Sequence, residues 1–86
     1  MKEIAKKTII IYILNVLKRY SSREFPISQS AICTYLNDID VPCERKTVGR
    51  NIKYLIDFGY PIKKVHKKGY WIDREEMEKL VDRFIL

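Results

Sequence analysis

The segment from Ile9 to Tyr20 carries two apolar rows rather than one. Ile10, Ile13, Leu14 and Leu17 recur at i, i+3, i+4 and i+7, the mark of an amphipathic helix. Ile9, Tyr12, Val16 and Tyr20 form a second row beside the first. At about 100° per residue the two rows cover about 200° of the helix, roughly twice what a surface helix needs. Such a helix must be covered by more than one neighbour, so the rest of the chain has to wrap it. The periodicity predicts this first helix from about Ile4 to Tyr20.

With 86 residues the chain makes one domain, large enough to fold alone with little to spare. Hydrophobic residues make up 47% and charged residues 33%, with three Gly and three Pro, a globular composition without a disorder signature. The longest apolar run, Ile9 to Leu14, falls far short of the roughly 20 residues that cross a bilayer. No small-residue cleavage site follows it, which argues against a signal peptide. The expected location is cytoplasmic.

Downstream, the segment from Ser21 to Ser28 breaks the helical pattern, and Phe25-Pro26-Ile27 suits a very short edge strand. Ser28 is a good N-cap for a second helix ending near Leu36 or Asn37, with Ile27 and Ile32 at hydrophobic-staple spacing. Asp38 to Pro42 reads as a turn. A third helix is predicted from about Arg45 to Phe58, stopped by Gly59 and kept from continuing by Pro61. Its buried stripe is expected to be Val48, Ile52, Leu55 and Ile56. Gly49 inside it costs about 1 kcal/mol relative to Ala, which fits a close approach of backbone to a ligand or a tight helix–helix contact equally well. Ile62–His66 and Tyr70–Ile72 read as strands around Lys67-Lys68-Gly69, with Gly69 supplying a positive φ for the hairpin. Asp73 and Glu76 then form a capping-box variant opening a fourth helix, with Ile72 and Met77 at staple spacing. Its apolar stripe is Met77, Leu80, Val81, Phe84 and Ile85.

The order is helix, short strand, helix, turn, helix, strand, strand, helix. The fold class is therefore mainly α with a small β-hairpin wing: a winged helix-turn-helix over residues 1–72 and one C-terminal helix over 73–86, a packing or dimerisation element.

Charge is unevenly spread over this plan. The chain has a net +6 and a pI near 9.4, which favours an anionic partner. Residues 1–72 hold 14 basic and 6 acidic side chains, whereas residues 73–86 hold 3 and 5. Arg45, Lys46, Arg50, Lys53, Lys63, Lys64, Lys67 and Lys68 cluster on the third helix and hairpin, opposed there by only Glu44 and Asp57. In a helix-turn-helix the second helix of the pair lies in the major groove. Arg50, mid-face, suits a bidentate contact to guanine, with Lys46 one turn earlier and Thr47 in reach of a phosphate or thymine methyl. Lys53 is expected at the backbone, and Arg45 at a phosphate or in a structural role. Lys63, Lys64, Lys67 and Lys68 make the hairpin a phosphate-gripping wing. His66 is either a phosphate partner or a plain surface residue. One of Tyr70 and Trp71 should pack on the core.

The segments ERKTVGRNIKYLIDFGYPI and KKGYWID resemble the N-terminal winged-helix domain of WYL-domain transcription regulators, and more loosely DeoR-type and biotin-repressor-type domains. The matching positions are Arg45, Lys46, Thr47, Val48, Arg50, Leu55, Gly59, Tyr60, Gly69, Tyr70 and Trp71. LNVLKRYS and PISQSAICTYL suit the first two helices, so the resemblance covers nearly the whole chain. It implies sequence-specific binding of duplex DNA, with Arg45, Lys46, Thr47 and Arg50 in the recognition helix. Glu44 stands where the family often has Ser or Asp, which weakens the helix cap, and Asn51 replaces a frequent Asp. The ligand-sensing WYL domain does not lie within these residues, so the chain reads as an excised DNA-binding domain or a small stand-alone protein.

Rival classes fare less well. One His, no nucleophile elbow, no Gly-rich phosphate loop and no carboxylate pair on a credible cleft argue against an enzyme. Cys33 and Cys43, ten apart without a CxxC, lack metal-site spacing, so no metal or cofactor is expected. RNA is disfavoured because a helix cannot enter its deep, narrow major groove. The serious alternative is a winged-helix protein–protein interaction module. A homodimer through Met77, Leu80, Val81, Phe84 and Ile85, with the second row of the first helix, is also expected from the surplus of apolar surface.

Overall fold

A computed structural model describes residues 6–84, with side chains described from Thr8 to Leu80. Four helices and one hairpin follow in the expected order: α1 (Lys6–Tyr20), α2 (Gln29–Asp38), α3 (Arg45–Asp57), β1 (Ile62–Val65), β2 (Gly69–Ile72) and α4 (Arg74–Phe84). This is a winged helix-turn-helix with one added C-terminal helix.

Both rows of α1 enter the core. Ile13 and Leu17 of the first row and Ile9 and Val16 of the second are buried, together with Ile32 and Leu36 of α2 and Val48, Ile52 and Leu55 of α3. Ile62 and Ile72 close the core from the hairpin, and Val41 from the turn. Helix α1 packs on α3, α2 and β2, so three neighbours share its wide face. At its end the buried Ser21 hydroxyl donates to the Leu17 carbonyl at 2.6 Å and accepts the Ile72 N–H at 3.1 Å, joining helix to wing.

The helix-turn-helix pair is bounded by specific end chemistry. Ser28 caps α2 by accepting the Ala31 N–H at 3.1 Å. The helix runs to Asp38, slightly past the expected end, and closes with Asp40 at φ 60 and the Val41 N–H on the Leu36 carbonyl. That is the left-handed helix-ending motif, here built on an Asp. Helix α3 ends the same way on glycine: Gly59 N–H bonds to Ile56 and Tyr60 N–H to Leu55, both at 3.0 Å. Its start is less secure, because Glu44 makes no side-chain capping bond.

Several expectations are corrected. Ile56 is 40% exposed, at the edge of the α3 stripe rather than within it. The edge strand at Phe25–Ile27 shrinks to one bridge, in which Ile27 exchanges both backbone hydrogen bonds with Tyr70 at 2.8 Å. Gly69 permits that approach, since a Cβ there would lie 2.2 Å from the Ile27 carbonyl oxygen and its φ is 135. Strand β1 stops at Val65 and β2 begins at Gly69, leaving His66 in the turn. Only half of the capping box forms at α4: Asp73 Oδ1 accepts the Glu76 N–H at 3.1 Å, but the Glu76 carboxylate turns to Lys63 Nζ at 3.2 Å. Asp73 N–H goes instead to the Pro61 carbonyl. Met77 packs against the core, and the Arg74 guanidinium donates to the Lys18 carbonyl. The expected contacts of Val81, Phe84 and Ile85 lie outside the described side chains. No helix among the described residues is long and apolar enough to cross a membrane.

Candidate nucleic-acid interface

The hairpin register sorts its lysines. Ile62 pairs with Ile72, Lys63 with Trp71, Lys64 with Tyr70 and Val65 with Gly69. Paired residues share a face and successive residues alternate. Ile62 and Ile72 point into the core, so Lys64 and Tyr70 lie on that same face, further toward the tip. Lys63 and Trp71 lie on the other. Tyr70, not Trp71, packs against the core. Lys63 is thus turned from Lys64 and engaged by Glu76 of α4.

Lys64 therefore overhangs the start of the helix pair. Between the wing and the helix N-termini lies an open cleft of about 300 Å³, bordered by Arg45, Lys64, Lys67 and Lys68 and by Ser28, Gln29 and Ser30. Neither α2 nor α3 has an acidic residue in its first turn. The leading N–H groups of a helix have no intrahelical acceptor and carry its positive dipole end. Cations, serine hydroxyls and two helix starts, that of α3 without a side-chain cap and that of α2 capped by Ser28 at one N–H, thus surround one volume, an arrangement chemically suited to an anion such as a phosphate.

Lys67 adds a conformational sign. It sits at φ 65 in the tip turn, closed by the Lys68 N–H on the Val65 carbonyl at 3.0 Å. The left-handed region costs a non-glycine residue about 1 kcal/mol or more. A lysine held there keeps its charge at the tip despite that cost, and strain of this kind concentrates at functional sites.

Beside the cleft, α3 exposes Lys46, Arg50 and Lys53 on its outward face, with Asp57 toward the end. Thr47 is half-buried, its carbonyl accepting the Asn51 side-chain amide at 2.8 Å. Of the nine residues expected at the interface, Arg45, Lys64, Lys67 and Lys68 meet at the cleft, and Lys46, Thr47, Arg50 and Lys53 lie along the helix. Lys63 joins neither group. The strand alternation from Ile62 carried that distinction. Gln29 and Ser30 were missed: apart from following the Ser28 cap, they have no sequence signal. His66 is exposed at the turn.

The two cysteines are free and half-buried. Burial, then the neighbouring Cys33 thiol, pushes Cys43 up to about 11, so it stays protonated near neutral pH. Among the described residues no group of three His, Cys, Asp or Glu side chains is placed to hold a metal. On the far side, α1 and α2 flank a groove of about 530 Å³ that includes Tyr12, Val16, Tyr20, Tyr35 and Ile39. There the Tyr20 and Tyr35 rings stack 4.4 Å apart.

No family model, curated protein or solved structure matches the chain.

Proposed function

We propose that this chain binds duplex DNA sequence-specifically, as a cytoplasmic transcription regulator or the DNA-binding domain of one. The observation that carries the reading is the cleft where Arg45, Lys64, Lys67 and Lys68 meet at the starts of the helix pair. With a phosphate seated there, the exposed face of α3 is the adjoining surface for the major groove. Arg50 reads a guanine edge, Lys46 and Thr47 assist, and Lys53 meets the backbone. The resemblance read from the residues of ERKTVGRNIKYLIDFGYPI and KKGYWID to the winged-helix domain of WYL-type regulators points to the same assignment.

The test is duplex binding followed by anisotropy across a salt series. Neutralising about 4–7 phosphates gives a log–log slope of about −4 to −6. On a site selected from random duplexes, Arg50→Ala costs about 1–3 kcal/mol and flattens sequence preference. A slope near zero, or no binding in low salt, removes the proposal.

A second reading, recognition of protein, draws on the groove between α1 and α2. We propose that its partner is a second copy, presenting Leu80, Val81, Phe84 and Ile85 of the C-terminal segment, with Met77 of the expected set packed instead against its own core. Burial of Ile9 and Val16 within the chain leaves Tyr12 and Tyr20 as the second-row residues that face such a partner. A two-fold dimer would bring two α3 helices to half-sites about one helical turn, or a multiple, apart. Sedimentation at micromolar concentration checks it: a persistent monomer that binds single and palindromic sites equally well excludes the dimer.

A further inference from the structure

Gly49 faces α2, and what it faces is one atom group. A Cβ on Gly49 would stand 2.2 Å from Gln29 Nε2 and 3.2 Å from its Cδ. That amide donates to the backbone carbonyl of Arg45 at 3.1 Å. Gln29 is the first residue of α2 and Arg45 the first of α3, so the bond ties two helix starts together. Both residues border the cationic cleft.

We infer that Gln29 is a positioning residue for the anion cleft: its amide, admitted by the missing side chain at Gly49, fixes the start of α3 and with it the Arg45 side chain. Stability alone does not account for this pairing. Gln29 Nε2 is the end of a flexible chain that can swing away, and alanine is the better helix former. The helix accepts glycine there, and the gain is a fixed spacing between two positive helix ends. It matters more for α3 because Glu44 gives that start no cap of its own. The inference rests on the proposed DNA reading and names the device that sets the phosphate site.

The experiment compares the wild type with Gly49→Ala, Gln29→Met and the double variant in duplex binding and thermal unfolding. Each single change is expected to weaken binding about two- to tenfold, the equivalent of one hydrogen bond. The double variant should be no weaker than the weaker single, because both remove the same link. Gly49→Ala should meanwhile melt at or above the wild-type temperature, an outcome that mere structural damage would not give. Wild-type affinity in Gly49→Ala, or losses that multiply in the double variant, overturns the inference while leaving DNA binding standing. A wild type that fails to bind duplex in low salt removes both.

Discussion

The starts of α3 and α4 are built on opposite principles. Helix α4 completes itself: Asp73 accepts the Glu76 N–H, and Glu75 and Glu76 place negative charge in the first turn. Helix α3 opens without an acid in its first turn and without a side-chain capping bond from Glu44, next to the start of α2, which Ser28 caps but which also has no acid in its first turn. By local energetics α4 is the better-made helix, since caps and first-turn acids each contribute stability. The difference is that α4 satisfies its own start, whereas the α3 start leaves its leading donors without a side-chain acceptor, which is what the proposed phosphate site would use.

The strongest way to break this contrast is to reverse charge at the open ends. Lys64→Glu combined with Lys67→Glu should reduce duplex affinity by about 100-fold or more at low salt, given the number of phosphate contacts removed and opposed. Circular dichroism should show the helices intact. A smaller effect on binding than on folding would mean the cleft is not the grip.

The closed end makes the complementary test. Asp73→Ala removes the α4 cap and should cost about 1 kcal/mol, or about 4–8 °C in melting temperature for a domain of this size. Duplex affinity measured well below that melting temperature should stay within about twofold, because the loss is confined to α4. Ser30→Glu should then split the two properties. An acid in the first turn of α2 is worth about 0.3–1 kcal/mol to the helix, yet it puts a negative charge on the cleft rim. Melting should rise while DNA binding weakens. If both rise, the helix ends are not anion sites.

The finest comparison is between adjacent lysines. Lys64→Ala should lower the salt slope by about one, as expected for one lost phosphate contact. Lys63→Ala should leave the slope almost unchanged and cost less than about 1 kcal/mol in stability, the scale of an exposed ion pair. Equal slopes for the two variants would show that the wing presents both faces to the polyanion.

Much of the fold was legible because its signals are local. The double row on α1, the Ser28 cap and the Gly59 stop each act within a turn or two of helix, and each lies where expected. Ile56 was misjudged because a residue at the rim of an apolar stripe is covered or bared by the angle of its neighbours, which no single-helix pattern contains. The α2 end at Asp38 was placed short because Asp40 takes the left-handed role usually filled by glycine. Glu76 matched a capping motif but found a cation on a strand 13 positions away. At the candidate site the cationic set was visible as composition, while its division between cleft, helix face and far side required the strand register. The Gln29–Arg45 link spans 16 positions and has no motif at all. What remained hidden was what depends on which elements meet.

One such meeting affects how the chain reaches its native form. The Ser21 hydroxyl holds the Ile72 amide across 51 positions of sequence. The helices can form from nearby contacts on fast timescales, whereas this bond requires the chain between to have been brought round, and loop closure of that length delays it. The hairpin can pair with itself at any time, yet it becomes part of the domain only when it reaches the end of α1. Ile72 and Ser21 are both buried, so once formed the bond is shielded from solvent. Its amide should therefore be among the slowest to exchange with deuterium, and its protection in a refolding pulse should mark the moment at which the wing, and the charges it carries, joins the helices.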